Sequence, residues 1–194
     1  MNFLAHFHLA WPDEGLVAGG LEGDYYKGPL RGDLRPDIER GVVLHRAIDA
    51  YTDQHQAMVQ LRGELPPRLR RFAGIVIDLA FDHYLSRHWQ QYSDVPLADF
   101  SGRVYQVLQV NRGELSTDAQ RMVERLLQHD ILNLYSEWRT VTATAARIGE
   151  RFGARNPFLD LERDLEPLRP LLEEAFLDFY PDLQTFAAER TSSL

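Results

Sequence analysis

The chain has 194 residues, enough for one domain with a sizeable core, and its 44% hydrophobic and 26% charged content is ordinary for a water-soluble fold. A formal net charge of −8 argues against general nucleic-acid binding, and no apolar run approaches the length of a membrane span. The absence of cysteine excludes disulfides, thiolate catalysis, iron–sulfur clusters and thiolate zinc sites, so any metal must be held by His, Asp and Glu, donors that suit manganese, iron, magnesium or zinc.

The first predicted element is a short apolar helix over Asn2–Ala10, interrupted by His6 and His8 and stopped at Pro12. It carries no basic segment ahead of its apolar residues and so does not read as a secretory signal; a cytoplasmic protein is expected. The two rings share a face of a strand but point about 200° apart on a helix. His6 is thus equally a site residue or a polar position, and His8 reads as a half-buried polar position. Asp13 fits an N-cap for the next segment. Gly15, Gly19, Gly20 and Gly23 weaken a helix there but permit close backbone approach. Asp24 follows, as a ligand or simply as a helix-end carboxylate paired with Lys27. Gly28 to Pro36, with two prolines and two glycines, is a loop that can border a site mouth, leaving Lys27, Arg31 and Arg35 for an anionic substrate.

Pro36 to Leu61 reads as one long helix, with Pro36 at its first position and Asp37 and Glu39 in its first turn. His45, Asp49 and Asp53 recur at i, i+4 along it as a continuous polar stripe. Alone, that stripe is a solvated face with a His–Asp hydrogen bond; beside a second acidic helix it becomes a site. Between this helix and the next, Arg62, Arg68, Arg70 and Arg71 face a single acid, Glu64. That is either an exposed first turn or a docking patch for an acidic partner, with Arg68, Arg70 and Arg71 as its contacts.

Phe72 to Trp89 is the most apolar helix, broken only by Asp78, Asp82 and His83 in its core portion. Burying a bare carboxylate costs several kcal/mol, so such groups persist only when paired, hydrogen-bonded or metal-bound. Asp78 and Asp82 share a face one turn apart, and His83 lies about 100° further round. Helical periodicity continues over Pro96–Val110, Ser116–His129 and Ile131–Glu150. Arg151 to Pro157 reads as a loop, and Leu159–Arg190 as one or two more helices. With no convincing strand and no repeat, the expectation is an all-α, compact single-domain helical bundle of about seven to nine helices.

Two helices thus offer i, i+4 pairs, His45/Asp49 and Asp78/Asp82, the second with His83, and an antiparallel arrangement can aim both pairs at one point. Asp24 can add a ligand and His6 can lie nearby. A His/Asp centre with open positions suits metal-assisted hydrolysis, with Lys27, Arg46 and Arg87 as candidates to stabilise phosphate charge.

Four blocks carry a resemblance to a known family: Met1-Asn-Phe-Leu-Ala-His-Phe-His-Leu-Ala10, Gly23-Asp-Tyr-Tyr-Lys-Gly28, His45-Arg-Ala-Ile-Asp-Ala-Tyr-Thr-Asp53 and Asp78-Leu-Ala-Phe-Asp-His-Tyr-Leu-Ser-Arg-His-Trp89. In order and spacing they resemble the bacterial acyl carrier protein phosphodiesterases, divergent relatives of the all-helical HD-type metal-dependent phosphohydrolases. The resemblance implies an HD-domain-like fold. It also implies hydrolysis of the phosphodiester joining 4'-phosphopantetheine to a serine of holo-acyl carrier protein, giving the apo form, with manganese as the usual metal. The positions that match are Asp24, His45, Asp49, Asp78, Asp82 and His83 as metal ligands, and His6, Lys27 and Arg46 fall in the catalytic neighbourhood. Family members often carry Gly-Asn-Leu where this chain has Gly19-Gly20-Leu21. The partner would be the acidic carrier protein itself, with no nucleic acid and no membrane. Two other functions fit the residues: an HD-type phosphohydrolase acting on a nucleotide or other small phosphoester, and a non-catalytic helical binding module whose buried acids are structural. Asp82→Ala separates them, abolishing metal binding and turnover if the acid is a ligand but mainly lowering stability if it is structural.

Overall fold

The computed structural model describes residues 1–194 and is entirely helical, without strands. In chain order the α-helices are α1 (Phe3–Ala10), α2 (Glu14–Glu22), α3 (Pro36–Gln54), α4 (Gln56–Glu64), α5 (Ala73–Arg87), α6 (Leu97–Asn111), α7 (Thr117–His129), α8 (Ile131–Leu134), α9 (Trp138–Gly149), α10 (Leu161–Leu165) and α11 (Arg169–Ser192), joined by short 3₁₀ turns. Several starts follow from their own capping chemistry. The Asp13 carboxylate accepts from the Leu16 amide at 3.0 Å, Pro36 occupies the first turn of α3, and the Ser116 hydroxyl takes the Ala119 amide of α7.

Two stretches read as continuous from the sequence are broken. The segment Pro36–Leu61 parts at His55, which is extended at φ −67° and ψ 139°. Its Nδ1 accepts from the Ala57 amide at 3.3 Å and its ring meets Phe179 of α11 edge-on at 4.8 Å. Tertiary packing and a histidine cap, not a proline or glycine, end α3. Ile131–Glu150 divides into α8 and α9, while Leu159–Arg190 holds two helices, α10 and α11, as the sequence allowed; with the extra breaks the bundle has more and shorter helices than the expected seven to nine. No helix is long and apolar enough to cross a membrane.

One core runs from Met1 to Ala187 and joins 47 buried apolar residues. Within it α2 lies along α3, α1 packs on α2 and α5, and α11 covers α1, α3 and α5. The α2–α3 crossing is made of glycine. Gly15, Gly19 and Gly23 recur at i, i+4 and i+8, opposite Asp37, Gly41 and His45 at the same spacing. A Cβ on Gly19 would fall 2.1 Å from the Ile38 carbonyl oxygen and 2.6 Å from the Gly41 Cα, so only two hydrogen-sized side chains let the backbones meet. The C-terminal half braces this arrangement. From it come Tyr180, whose hydroxyl meets the His8 ring Nδ1 at 2.7 Å, and Tyr135, whose hydroxyl accepts from Asn2 at 2.8 Å.

Candidate metal centre

The tight α2–α3 crossing delivers His45 to the end of α2, where Gly23 lies against its ring, and Asp24 follows directly. α1 brings His6 over from the other side. The His6 and His45 rings stack at 4.0 Å between centroids, 18° from parallel. Both aim Nε2 at the same carboxylate: His6 lies 3.1 Å from Asp49 Oδ1, and His45 3.2 Å from Asp49 Oδ2. One donor atom from each of these three residues lies within 4.8 Å of the others. Asp24 Oδ1 stands 3.9 Å from His45 Nε2. Asp78 of α5 enters through the Met1 α-ammonium, which lies 3.0 Å from Asp78 and 3.5 Å from Asp49.

The electrostatics are those of half-exposed carboxylates set against buried imidazole rings. Burial, with the neighbouring His45 as a second contribution, drives the His6 pKa down to about 3, so its ring is neutral at physiological pH. Burial pushes the Asp49 carboxyl upward, but the hydrogen bonds from His45 and His6 and the Met1 ammonium outweigh it and hold Asp49 ionised, well below the usual carboxylate range. Asp24 and Asp78 are raised by burial, each with Asp49 as a further repulsive neighbour. The Met1 ammonium is itself raised to about 10: burial lowers it, and Asp78 and Asp49 more than reverse that. Three carboxylates around one ammonium leave a surplus of negative charge at this spot.

Asp82 and His83 sit elsewhere. Asp82 is fully buried one turn deeper along α5, and its two oxygens accept from the Leu4 amide at 2.7 Å and the Ala5 amide at 3.2 Å. These are first-turn N–H groups of α1 with no intrahelical partner, and Asn2 offers them no side-chain cap. Asp82 therefore caps α1 from another helix. Burial pushes its carboxyl up to about 7 against the opposing pull of those two amides. His83 Nδ1 pairs with the Tyr135 carbonyl oxygen at 2.7 Å and its ring meets Trp138 edge-on at 5.2 Å, away from the cluster. His8 is likewise a core residue, bonded to Tyr180 and to the Tyr92 carbonyl. Asp82→Ala is expected to cost about 2–4 kcal/mol in stability, because two buried amides lose their acceptor. Asp82→Asn should recover part of that through its carbonyl oxygen. Urea denaturation of the two variants checks the order, and equal stabilities would remove the capping role.

The remaining candidates frame the mouth. Lys27 Nζ donates to the Asp24 carbonyl at 2.5 Å and is exposed. Arg46 donates to the Tyr26 carbonyl at 2.8 Å with its guanidinium 5.8 Å from the Tyr26 ring, so it ties the 24–28 turn to α3. Arg87 lies at the far end of α5. Gly20 faces α1, where an added Cβ would meet His6 Cβ at 3.9 Å; a larger residue there would stand beside the His6 ring. The Met1 ammonium has no motif to announce it, and its place follows only from where α1 docks.

The donor set fits a divalent cation. Two imidazole nitrogens and a carboxylate converge, further carboxylates flank them, and a positive group, the Met1 ammonium, is already held there. The Nδ1 atoms of both His6 and His45 are buried without a hydrogen-bond partner, so no other contact commits either ring to a fixed proton placement. Comparison with known proteins identifies the family. The sequence profile of the acyl carrier protein phosphodiesterase family matches residues 1–183. An acyl carrier protein phosphodiesterase of Klebsiella pneumoniae (strain 342) is 32% identical over 195 aligned residues, covering 98% of this chain and 99% of its own length. Its counterpart in Salmonella agona (strain SL483) is 30% identical with the same coverage. No solved structure matches the chain significantly. Since the profile runs from the first residue into α11 and the identity extends over whole chains, the protein belongs to the acyl carrier protein phosphodiesterase family.

Proposed function

We propose that this chain hydrolyses the phosphodiester between 4'-phosphopantetheine and the serine of holo-acyl carrier protein, releasing the apo carrier, with a divalent metal, manganese foremost, at the centre built by His6, His45 and Asp49. The observation that carries the reading is the convergence of both imidazole Nε2 atoms on one carboxylate at 3.1 and 3.2 Å, in a chain of this family. Asp24 and Asp78 flank the three and complete the donor set. Held there, a divalent cation supplies Lewis acidity and an acidified water at neutral pH. The chain's own part is to place and to charge. Asp49 fixes the orientation of both rings, Arg46 anchors the turn that carries Asp24, and the exposed Lys27 ammonium sets a positive charge at the mouth for the phosphate.

The test has two arms. Titrating manganese into the purified protein should raise Tm. At a hundredfold excess over Kd the gain is about 2.7 kcal/mol, or roughly 5–10 °C for a chain of this size. Incubating the loaded protein with holo-acyl carrier protein should then lower the carrier's mass by phosphopantetheine. Hydrolysis of small phosphoesters with an intact holo carrier would favour a small-molecule phosphohydrolase. No Tm response and no bound metal would favour a binding module.

A further inference from the structure

A second feature lies outside the metal centre. The turn ahead of α5 (Arg70–Phe72) and the Glu150–Arg155 turn after α9 face each other across a groove of about 1000 Å³. Its floor is aromatic: Phe72 and Phe152 pack edge-to-face at 5.2 Å, and Leu159 beside them is 71% exposed. Its rim is basic. Arg71 lies over Phe72 at 4.5 Å and Arg155 lines the far wall, while Arg151, 5.0 Å from the Phe152 ring, stands outside the lining. The only acid among the lining residues is Asp160, in a chain whose net charge is −8.

The arginines divide into two kinds. Arg68 donates to the Pro157 carbonyl at 2.7 Å and pairs with the Asp164 carboxylate, while Arg70 donates to the Leu65 and Gly63 carbonyls at 3.0 and 2.8 Å. Both were singled out from the sequence as docking contacts along with Arg71; Arg68 ties the two walls together, and Arg70 ties its turn back to the end of α4. Arg71, Arg151 and Arg155 are exposed and have no hydrogen bond or ion pair within the chain. The far wall is also built rather than loose: Asn156 bonds the Ala146 carbonyl of α9 and accepts from the Phe158 amide, at 2.8 and 3.0 Å.

We propose that this groove docks an acidic amphipathic helix of the protein substrate, with Arg71 and Arg155 meeting its carboxylates and Phe72, Phe152 and Leu159 its apolar side chains. That the substrate is the carrier protein rests on the function proposed above. Free cations around an apolar floor suit an acidic helix, and complementary charge of this kind sets encounter rate and register. The placement suits delivery as well: α5 begins directly after this turn, at Ala73, and carries Asp78 five residues into the helix, between one and two turns from its start.

The test is the double charge reversal Arg71→Glu with Arg155→Glu, and separately Leu159→Asp, in the full chain loaded with manganese. The Kd for apo-acyl carrier protein, read by calorimetry without any turnover, should rise about tenfold or more in each, as should KM for the holo carrier, while kcat and bis(p-nitrophenyl) phosphate hydrolysis stay at the wild-type level. Wild-type Kd should also weaken with added salt, and the double variant should lose most of that dependence. A double variant with wild-type Kd, in an enzyme that cleaves the carrier, overturns the docking site and leaves the proposed function standing. A wild-type chain that binds the carrier through these arginines but releases no phosphopantetheine supports the docking site and overturns the function. A wild-type chain that does not bind the carrier overturns the docking site.

Discussion

Asp49→Ala should abolish manganese binding and lower turnover about a thousandfold, while the circular dichroism spectrum stays helical. Asp49 is the one residue that touches both rings and the Met1 ammonium. On the proposed function, removing it takes away a ligand, frees both imidazoles to rotate and reduces the charge that would hold a dication. A bound metal contributes several kcal/mol of transition-state stabilisation, and about 4 kcal/mol corresponds to roughly a thousandfold in rate. The fold should tolerate the change, because the Asp49 side chain is 44% exposed and screened ion pairs at such positions contribute about 1 kcal/mol or less. Asp49→Asn keeps one acceptor and loses the charge, so it should bind manganese detectably but weakly. The measurements are calorimetric titration of manganese, the Tm increment on adding it, and release of phosphopantetheine. A variant that binds manganese within threefold of wild type and turns over within tenfold would show that the metal is held elsewhere.

The helices were legible because apolar periodicity and caps are local. Asp13, Pro36 and Ser116 each start the helix their chemistry allows. The breaks were less so, because their causes lie far off in the chain: His55 is no helix breaker by type, and it ends α3 by capping Ala57 while its ring rests on Phe179. The centre divides the same way. The i, i+4 spacing of His45 and Asp49 already sets them side by side, and the structure adds the second ring. For His6 and His8, a helix sends the two rings to different neighbours: the first stacks on His45, the second enters an aromatic cluster with Trp89 and Tyr180.

Asp78, Asp82 and His83 show the limit of pattern reading. Asp78 and Asp82 have the same side chain, lie on one helix face and are separated by one turn, yet one faces the Met1 ammonium beside the His6–His45–Asp49 cluster and the other caps α1. What differs is the partner opposite, the start of α1, which no spacing within α5 reports. His83 answers to the Tyr135 carbonyl, 52 residues further on. The glycines of α2 were read as a weakness of the helix, with close approach as the compensation. At Gly19 the close approach dominates.

Gly19→Ala should cost about 3–5 kcal/mol, because the added Cβ meets backbone on the facing helix. On an ordinary helix the same change gains about 0.5–1 kcal/mol, because glycine loses more backbone entropy on folding than alanine. Here the new Cβ would stand 2.1 Å from the Ile38 oxygen and 2.6 Å from the Gly41 Cα, both backbone atoms with no rotamer to yield. Relief requires α2 to lift from α3 along the whole glycine stripe. Gly23 would then lose its seat on the His45 ring and Asp24 its distance to His45 Nε2, so weaker manganese binding should accompany the loss of stability. Gly20→Ala is the internal control. It sits next door on the same helix, its nearest neighbours would be 3.9 Å away, and it should gain the ordinary 0.5–1 kcal/mol or lose nothing. Urea titration of the two variants with and without manganese reads both effects. Gly19→Ala within about 1 kcal/mol of Gly20→Ala would mean that the crossing yields, and that the glycine stripe does not hold the metal centre in place.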